Sequence, residues 1–278
     1  MVKKAVKPPW AAVAAVLFVY CLLNGGTVAE NSGKYLRLCA ERVVPALFVF
    51  SVLANIICKS KAFYTLCRVF PRFGVEAALL AMGMLGGFPL GAAVAVELYD
   101  NGAVDKRQAE YLCAFTNNPS LSFTVSYVGG VFNSKAIGIR LALLTALSAV
   151  AAAIILKPFL LPKSKGGIRL MPAATDTPTL SAAIKDTCTT MLVICGCIVF
   201  FGSICWILPQ NLQGFLELSG GISNCRSVVN AAVLLGFSGV SVLCQIAAVC
   251  KGKLSAAPYL TAKLIQGVIM GAAAHFLL

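Results

Sequence analysis

Acidic side chains are scarce in this chain. Ten Asp and Glu stand against 23 Lys and Arg, and charged residues of both signs make up only 12% of the 278. Soluble domains carry roughly a quarter, so a water-soluble globular fold is excluded. Histidine is nearly missing: His275 is the single copy. Metal ligation and acid–base catalysis need partners at defined spacing, and a lone histidine near the C-terminus supplies none. There is no serine elbow, no phosphate-binding glycine loop and no His-Glu-x-x-His. The expectation is therefore no catalytic residue, no metal, no cofactor and no enzymatic activity. Within these 278 residues no soluble catalytic domain is expected beside the apolar mass.

The net charge of +13 does not point to nucleic acid. The cations sit in short clusters between apolar runs, as the positive-inside rule describes, and basic patches interleaved with exposed aromatics are missing. The 12 Cys fall mostly inside apolar runs, at spacings that match no zinc or haem pattern. Cys195-Gly196-Cys197 is one residue short of a redox pair. These thiols read as small apolar residues in a reducing compartment.

What remains is hydrophobic: 59% of the residues. The chain reads as an all-α polytopic membrane protein. Lys3, Lys4 and Lys7 precede a short apolar run at 10–23, read as an uncleaved first span with its N-terminus inside, although 27–29 is a weak small-residue cleavage site. Residues 24–42 are polar and mildly amphipathic and are expected at the outer interface. A span at 43–58 follows, then Lys59, Lys61, Arg68 and Arg72, placed inside. Residues 136–156 form an ordinary span. Lys157, Lys163, Lys165 and Arg169 mark a cytoplasmic loop, and Pro172 and Pro178 a linker. Further spans are expected at 187–208, at 228–250 and, as a span or hairpin, at 258–278.

The run at 75–99 is interrupted by Gly86-Gly87-Phe88-Pro89-Leu90-Gly91. Glycine and proline both weaken helices, and in lipid the freed backbone groups have no water to bond. Such a break survives only where protein buries it or where it lines a wet cavity. A second break, Phe115-Thr116-Asn117-Asn118-Pro119-Ser120, is expected at the buried tip of a re-entrant hairpin, where its polar groups find partners. A third lies at Gly236-Phe237-Ser238-Gly239. Discontinuous helices in matching halves are the best sequence pointer to a transporter-like site.

A shift of 150 residues superposes the halves: Leu85-Gly86 falls on Leu235-Gly236, Pro89 on Gly239 and Gly102 on Gly252. The shared order of span, polar connector, broken helix, glycine turn and final helix carries this reading. The basic clusters predict opposite insertion of the two copies, an inverted repeat.

The blocks at 85–92 with Glu97-Leu98-Tyr99 and Gly102, and at 115–120, resemble the first-half signatures of the nucleoside-recognition (Gate) membrane proteins. Glu217-Leu218-Ser219-Gly220-Gly221-Ile222 and the block at 236–245 resemble the second-half signatures. The resemblance spans about 35–278 and is closest to sporulation integral membrane proteins of the YlbJ type. It implies a fold similar to concentrative nucleoside transporters and a role in endospore formation. The implied division is an anchor helix at 1–34, Gate-like repeats at 35–160 and 180–278, and a cytoplasmic linker at 161–179, all in the bacterial inner membrane.

Candidate binding residues follow from the breaks. Gly87, Phe88 and Pro89 form the first. Glu97 is either an interfacial acid or a buried one that binds a cation or hydroxyl. Asn117, Asn118 and Ser120 either cap helices or read a ligand. Glu217 with Ser219 and Gly220 forms a hairpin tip or an exposed loop. Ser238 and Ser241 either allow close packing or, with Gln245, face a solute. The expected function is a transporter or permease of a small polar, nucleoside-like solute with a coupling cation. The alternative is a structural membrane component of spore formation that holds a partner. Beyond the lipid bilayer, a homo-oligomer or a sporulation membrane protein is the partner considered.

Overall fold

A computed structural model describes residues 10–69, 73–162, 168, 170 and 177–278. Lys3, Lys4, Lys7, Arg72, Lys163, Lys165, Arg169 and Pro172, on which part of the orientation argument rested, lie outside these. The described chain is helical, with no strand among the described residues. In order the helices are α1 (Trp10–Leu23), α2 (Gly25–Leu38), α3 (Val44–Cys58), α4 (Lys61–Val69), α5 (Gly74–Gly86), α6 (Leu90–Asp100), α7 (Lys106–Thr116), α8 (Gly129–Val131), α9 (Lys135–Leu160), α10 (Leu180–Ile204), α11 (Gln210–Leu216), α12 (Leu218–Ser223), α13 (Val228–Phe237), α14 (Gly239–Cys250) and α15 (Ala257–Leu277). Five helical stretches are long and apolar enough to cross a bilayer: Gly25–Cys58, Lys135–Leu160, Leu180–Ile207, Val228–Cys250 and Ala257–Leu277. This is a multi-pass, all-helical membrane protein.

One end of the bundle is fixed by ion pairs. Lys59 after α3 reaches Asp186 near the start of α10 at 2.9 Å and Glu97 near the end of α6 at 3.7 Å. Lys253 beyond α14 bonds Asp100 at 2.8 Å. Glu110 in α7 accepts from the Ser255 amide before α15, and Lys157 near the end of α9 faces Glu76 at the start of α5. At the far end, Ser32 of α2 meets Ser203 of α10 at 2.7 Å, and Tyr127, ahead of α8, bonds the Ser219 carbonyl of α12.

These anchors give the direction of every element. Helix α3 runs toward the basic end. Helix α5 climbs away from it and α6 returns, so the two form a hairpin. Methyl groups on Gly83 and on Gly91 would both strike the Thr116 carbonyl, which places the two legs at one depth. Helix α7 then climbs, breaks at 117–120 and continues through a π-helical turn (Phe123–Val128) into α8. Helix α9 descends. The second series runs the other way. Helix α10 climbs, α11 and α12 form a hairpin entering from the far end, α13 and α14 descend with a break at Ser238, and α15 climbs.

The chain reverses at 86–89 and at Glu217, whereas at 117–120 and at Ser238 the helix breaks and the chain runs on. The 150-residue shift sets the tip at 86–89 against the break at 236–239, two discontinuities of different kind. Gly and Pro mark discontinuities equally well in a reversal and in a through-helix, so the sequence alone aligned one kind with the other.

Helix α2 continues through a π-helical turn (Cys39–Val43) into α3, so Gly25 to Cys58 is one unbroken helical stretch. Tyr35 is buried against Gly202 and Gly220, where a methyl on either glycine would overlap its ring. That packing holds α2 against α10. The stretch 257–277 is a single helix, which resolves the choice between span and hairpin.

Candidate functional site between the two hairpin tips

The two hairpin tips and the two breaks converge on one cavity. Phe88 lines it from the first tip, and Pro119 and Ser120 from the first break. Glu217 and Ser219 line it from the second tip, with Ser241 and Gln245 just after the second break. Leu47 of α3 and Ile198 of α10 close the sides. Its volume is about 40 Å³. At about 10–15 Å³ per water, that is room for a few waters. It is far below the roughly 300–1,000 Å³ of pockets that enclose drug-sized ligands.

The first tip is built by glycine. Gly87 has φ +75°, a backbone region that L side chains rarely adopt. A methyl there would come within 3.0 Å of Ser120 Cβ. The tip is tied to the break by Asn117, whose Oδ1 accepts from the Ala92 amide at 2.8 Å and whose Nδ2 donates to the Cys113 carbonyl at 2.7 Å. Ser120 Oγ accepts from the Phe123 amide at 3.0 Å. Asn117 and Ser120 therefore act on orphaned backbone groups of broken helices, which in lipid have no other partner.

The second tip is built by an acid. Glu217 is 1% exposed. Its Oε1 accepts from the Ser219 amide at 3.0 Å and its Oε2 from the Gly220 amide at 2.6 Å. Charge-assisted bonds to backbone N–H offset part of the cost of a buried carboxylate. At the second break Ser238 has φ +66° and its hydroxyl donates to the Leu235 carbonyl at 3.0 Å. Ser241 Oγ is buried, faces the cavity and has no partner among the described residues.

Of the residues singled out in the sequence, Phe88, Ser120, Glu217, Ser219, Ser241 and Gln245 share the cavity wall. Gly87, Pro89, Asn117, Gly220 and Ser238 shape the turns behind it. Glu97 stands apart: it is paired with Lys59 at the basic end, with 31% of its side chain exposed. Of the two readings open for it, the interfacial acid is the one its placement matches, because its half-helix carries it away from the tip.

One buried residue was not among those singled out in the sequence. Lys263 of α15 is 0% exposed. Its Nζ donates to Asn118 Oδ1 at 2.9 Å and to Gln266 Oε1 at 2.8 Å, and lies 5.4 Å from the Phe88 ring centroid and 5.6 Å from that of Tyr259. Asn118 is held in turn by its Nδ2 on the Phe115 carbonyl. No carboxylate pairs with Lys263 among the described residues. A buried ion costs several kcal/mol even after relaxation, so such a residue within a span is a functional candidate by default. Its position seven residues into the final span was the available sign, since a cation there is too deep to belong to a loop.

No cluster of three His, Cys, Asp or Glu suited to a metal occurs among the described residues, and all twelve cysteines are free thiols. The site offers hydroxyls, amides, one carboxylate and one ammonium beside aromatic rings.

The architecture and this internal polar site define a class: an all-helical, polytopic membrane protein with discontinuous helices meeting at a buried cavity. The chain is similar to the sporulation integral membrane protein YlbJ of Bacillus subtilis (strain 168), with 25% identity over 254 residues, which covers 70% of this chain and 62% of the relative. The chain therefore spans less than two thirds of that relative's length. No family model matches, and no solved structure matches.

Proposed function

We propose that this protein moves a small polar, nucleoside-like solute through the cavity between the two hairpin tips, in the context of bacterial sporulation. The observation that carries the reading is the convergence on one cavity of both tips and both breaks, with buried Glu217, Ser219, Ser241 and Gln245 on the wall. The sporulation context rests on the similarity to the sporulation protein YlbJ. The opposite running of the two element series supports an inverted-repeat plan similar to concentrative nucleoside transporters.

In this reading Ser241 Oγ is the unpaired group a solute would satisfy, and Gln245 reads its donor–acceptor pattern. A cleft of about 910 Å³ at the far end, walled by Lys34, Arg37, Arg42 and Tyr127, is the vestibule. The Tyr127–Ser219 hydrogen bond lies between it and the cavity. The cavity's small size corresponds to a closed state, with widening of the tips required for passage. Lys59, Lys157, Lys251 and Lys253 support a cytoplasmic side for the basic end in the inner membrane, with the N-terminus read as cytoplasmic too. The protein performs no covalent chemistry.

The size of the cavity also favours a second reading, a non-transporting membrane component of spore formation that holds a partner. Uptake of labelled nucleosides and other small polar solutes into proteoliposomes separates the two. Saturable uptake lost on Ser241→Leu supports transport. Absence of uptake for every solute tried, in protein with intact thermal unfolding, overturns it.

A further inference from the structure

We propose that Lys263 is a tethered cation filling a cation-binding site at the first break, so that the protein needs no mobile metal ion there. The geometry is that of a cation site. Two side-chain amide oxygens, Asn118 Oδ1 and Gln266 Oε1, converge on Nζ at 2.9 and 2.8 Å, and the rings of Phe88 and Tyr259 present their faces to it. Neutral oxygens and π faces favour positive charge without requiring a carboxylate. The four groups come from three elements: Phe88 from the hairpin tip, Asn118 from the break, Tyr259 and Gln266 from α15. The Nζ therefore joins the first hairpin, the first break and the final span at one point.

The orientation of Gln266 is the one an ammonium calls for. It turns its oxygen to the ammonium while its Nε2 is left buried with no partner among the described residues. An apolar residue in place of Lys263 would leave both amide oxygens unpaired as well. The ammonium supplies what a mobile coupling ion supplies in a site of amide oxygens, but it is covalently held. Where transport occurs, it is then independent of sodium; this last step rests on the transport reading above, whereas the tethered cation does not.

The test is thermal unfolding of the purified protein in detergent, at constant ionic strength, with sodium, potassium or choline chloride. The wild type is expected to show the same midpoint in all three. Lys263→Ala, which removes three methylenes and the ammonium, is expected to unfold several degrees lower and to be restored by n-propylammonium but not by n-propanol. Lys263→Met fills the space without the charge and is expected to remain several degrees low with either additive. If Lys263→Ala does not fold, a Lys263→Met midpoint equal to wild type overturns the proposal and a lowered one supports it. Sodium-specific stabilisation of the wild type, or equal rescue of Lys263→Ala by propanol, also overturns it. Because these readouts need no solute, a failure of uptake leaves the result interpretable, and sodium-independent uptake, if uptake is found, completes it.

Discussion

Asn117 Oδ1 accepts a hydrogen bond from the Ala92 amide at 2.8 Å, across 25 residues of chain. That bond joins the first hairpin to the first break and satisfies an N–H that the start of α6 leaves without a helical partner. Asn117→Ala removes the acceptor and also frees the Cys113 carbonyl. With a buried group left unpaired the cost is about 1–3 kcal/mol, and the expected outcome is a lower midpoint in thermal unfolding in detergent. Asn117→Asp keeps the acceptor and is expected to lose its bond to the Cys113 carbonyl, so it falls below wild type as well.

Glu217 performs the same task at the second tip with both carboxylate oxygens. Glu217→Ala leaves the Ser219 and Gly220 amides unpaired in a water-poor interior, with an expected loss of about 2–4 kcal/mol, the range of bonds to charged groups plus desolvation. Glu217→Gln keeps one acceptor and is expected to fall between. If Glu217→Ala unfolds at the wild-type midpoint, the carboxylate does not hold the tip.

Tyr35 fits a notch cut by Gly202 and Gly220. Gly220→Ala is expected to destabilise by about 1–3 kcal/mol through overpacking. Combining it with Tyr35→Ala relieves the overlap, so the double variant is expected to be less destabilised than the sum of the singles, with a coupling of about 0.5–3 kcal/mol. Strict additivity in a double-mutant cycle would mean that the ring and the glycine do not touch.

Lys59 illustrates the opposite case. Its partner Asp186 is half exposed, with 50% of its side chain accessible. Exposed pairs contribute about 0–1 kcal/mol and are screened by salt. Lys59→Ala is expected to shift the midpoint little, and that small shift is expected to vanish in 1 M salt, on the order of a 3 Å Debye length.

Much of the architecture was legible in the chain because it depends on local terms. Apolar runs marked the spans, and the helix at 135–160 matches the run at 136–156 closely. Gly86-Gly87, Asn117-Asn118-Pro119 and Ser238-Gly239 marked breaks because backbone permissiveness and missing N–H donors are properties of the residues themselves. Glu217 and Ser219 stood out as polar groups in apolar surroundings, and they share the cavity wall. The role of Asn117 remained open between capping and reading a ligand because only a fold shows that Ala92 is its neighbour. Lys263 passed unnoticed because a lysine one or two turns inside a helix looks the same whether it snorkels or is enclosed.

By itself, then, the sequence determined that the chain is a helical membrane protein, where its helices break and which polar residues sit at the breaks. Only the tertiary structure decided which breaks reverse the chain and which let it continue. The reason is physical. A glycine or proline removes the local preference for helix, but the direction the chain then takes is set by packing against helices distant in sequence. The same long-range packing enclosed Lys263 among Phe88, Asn118, Tyr259 and Gln266 and left Glu97 at the edge.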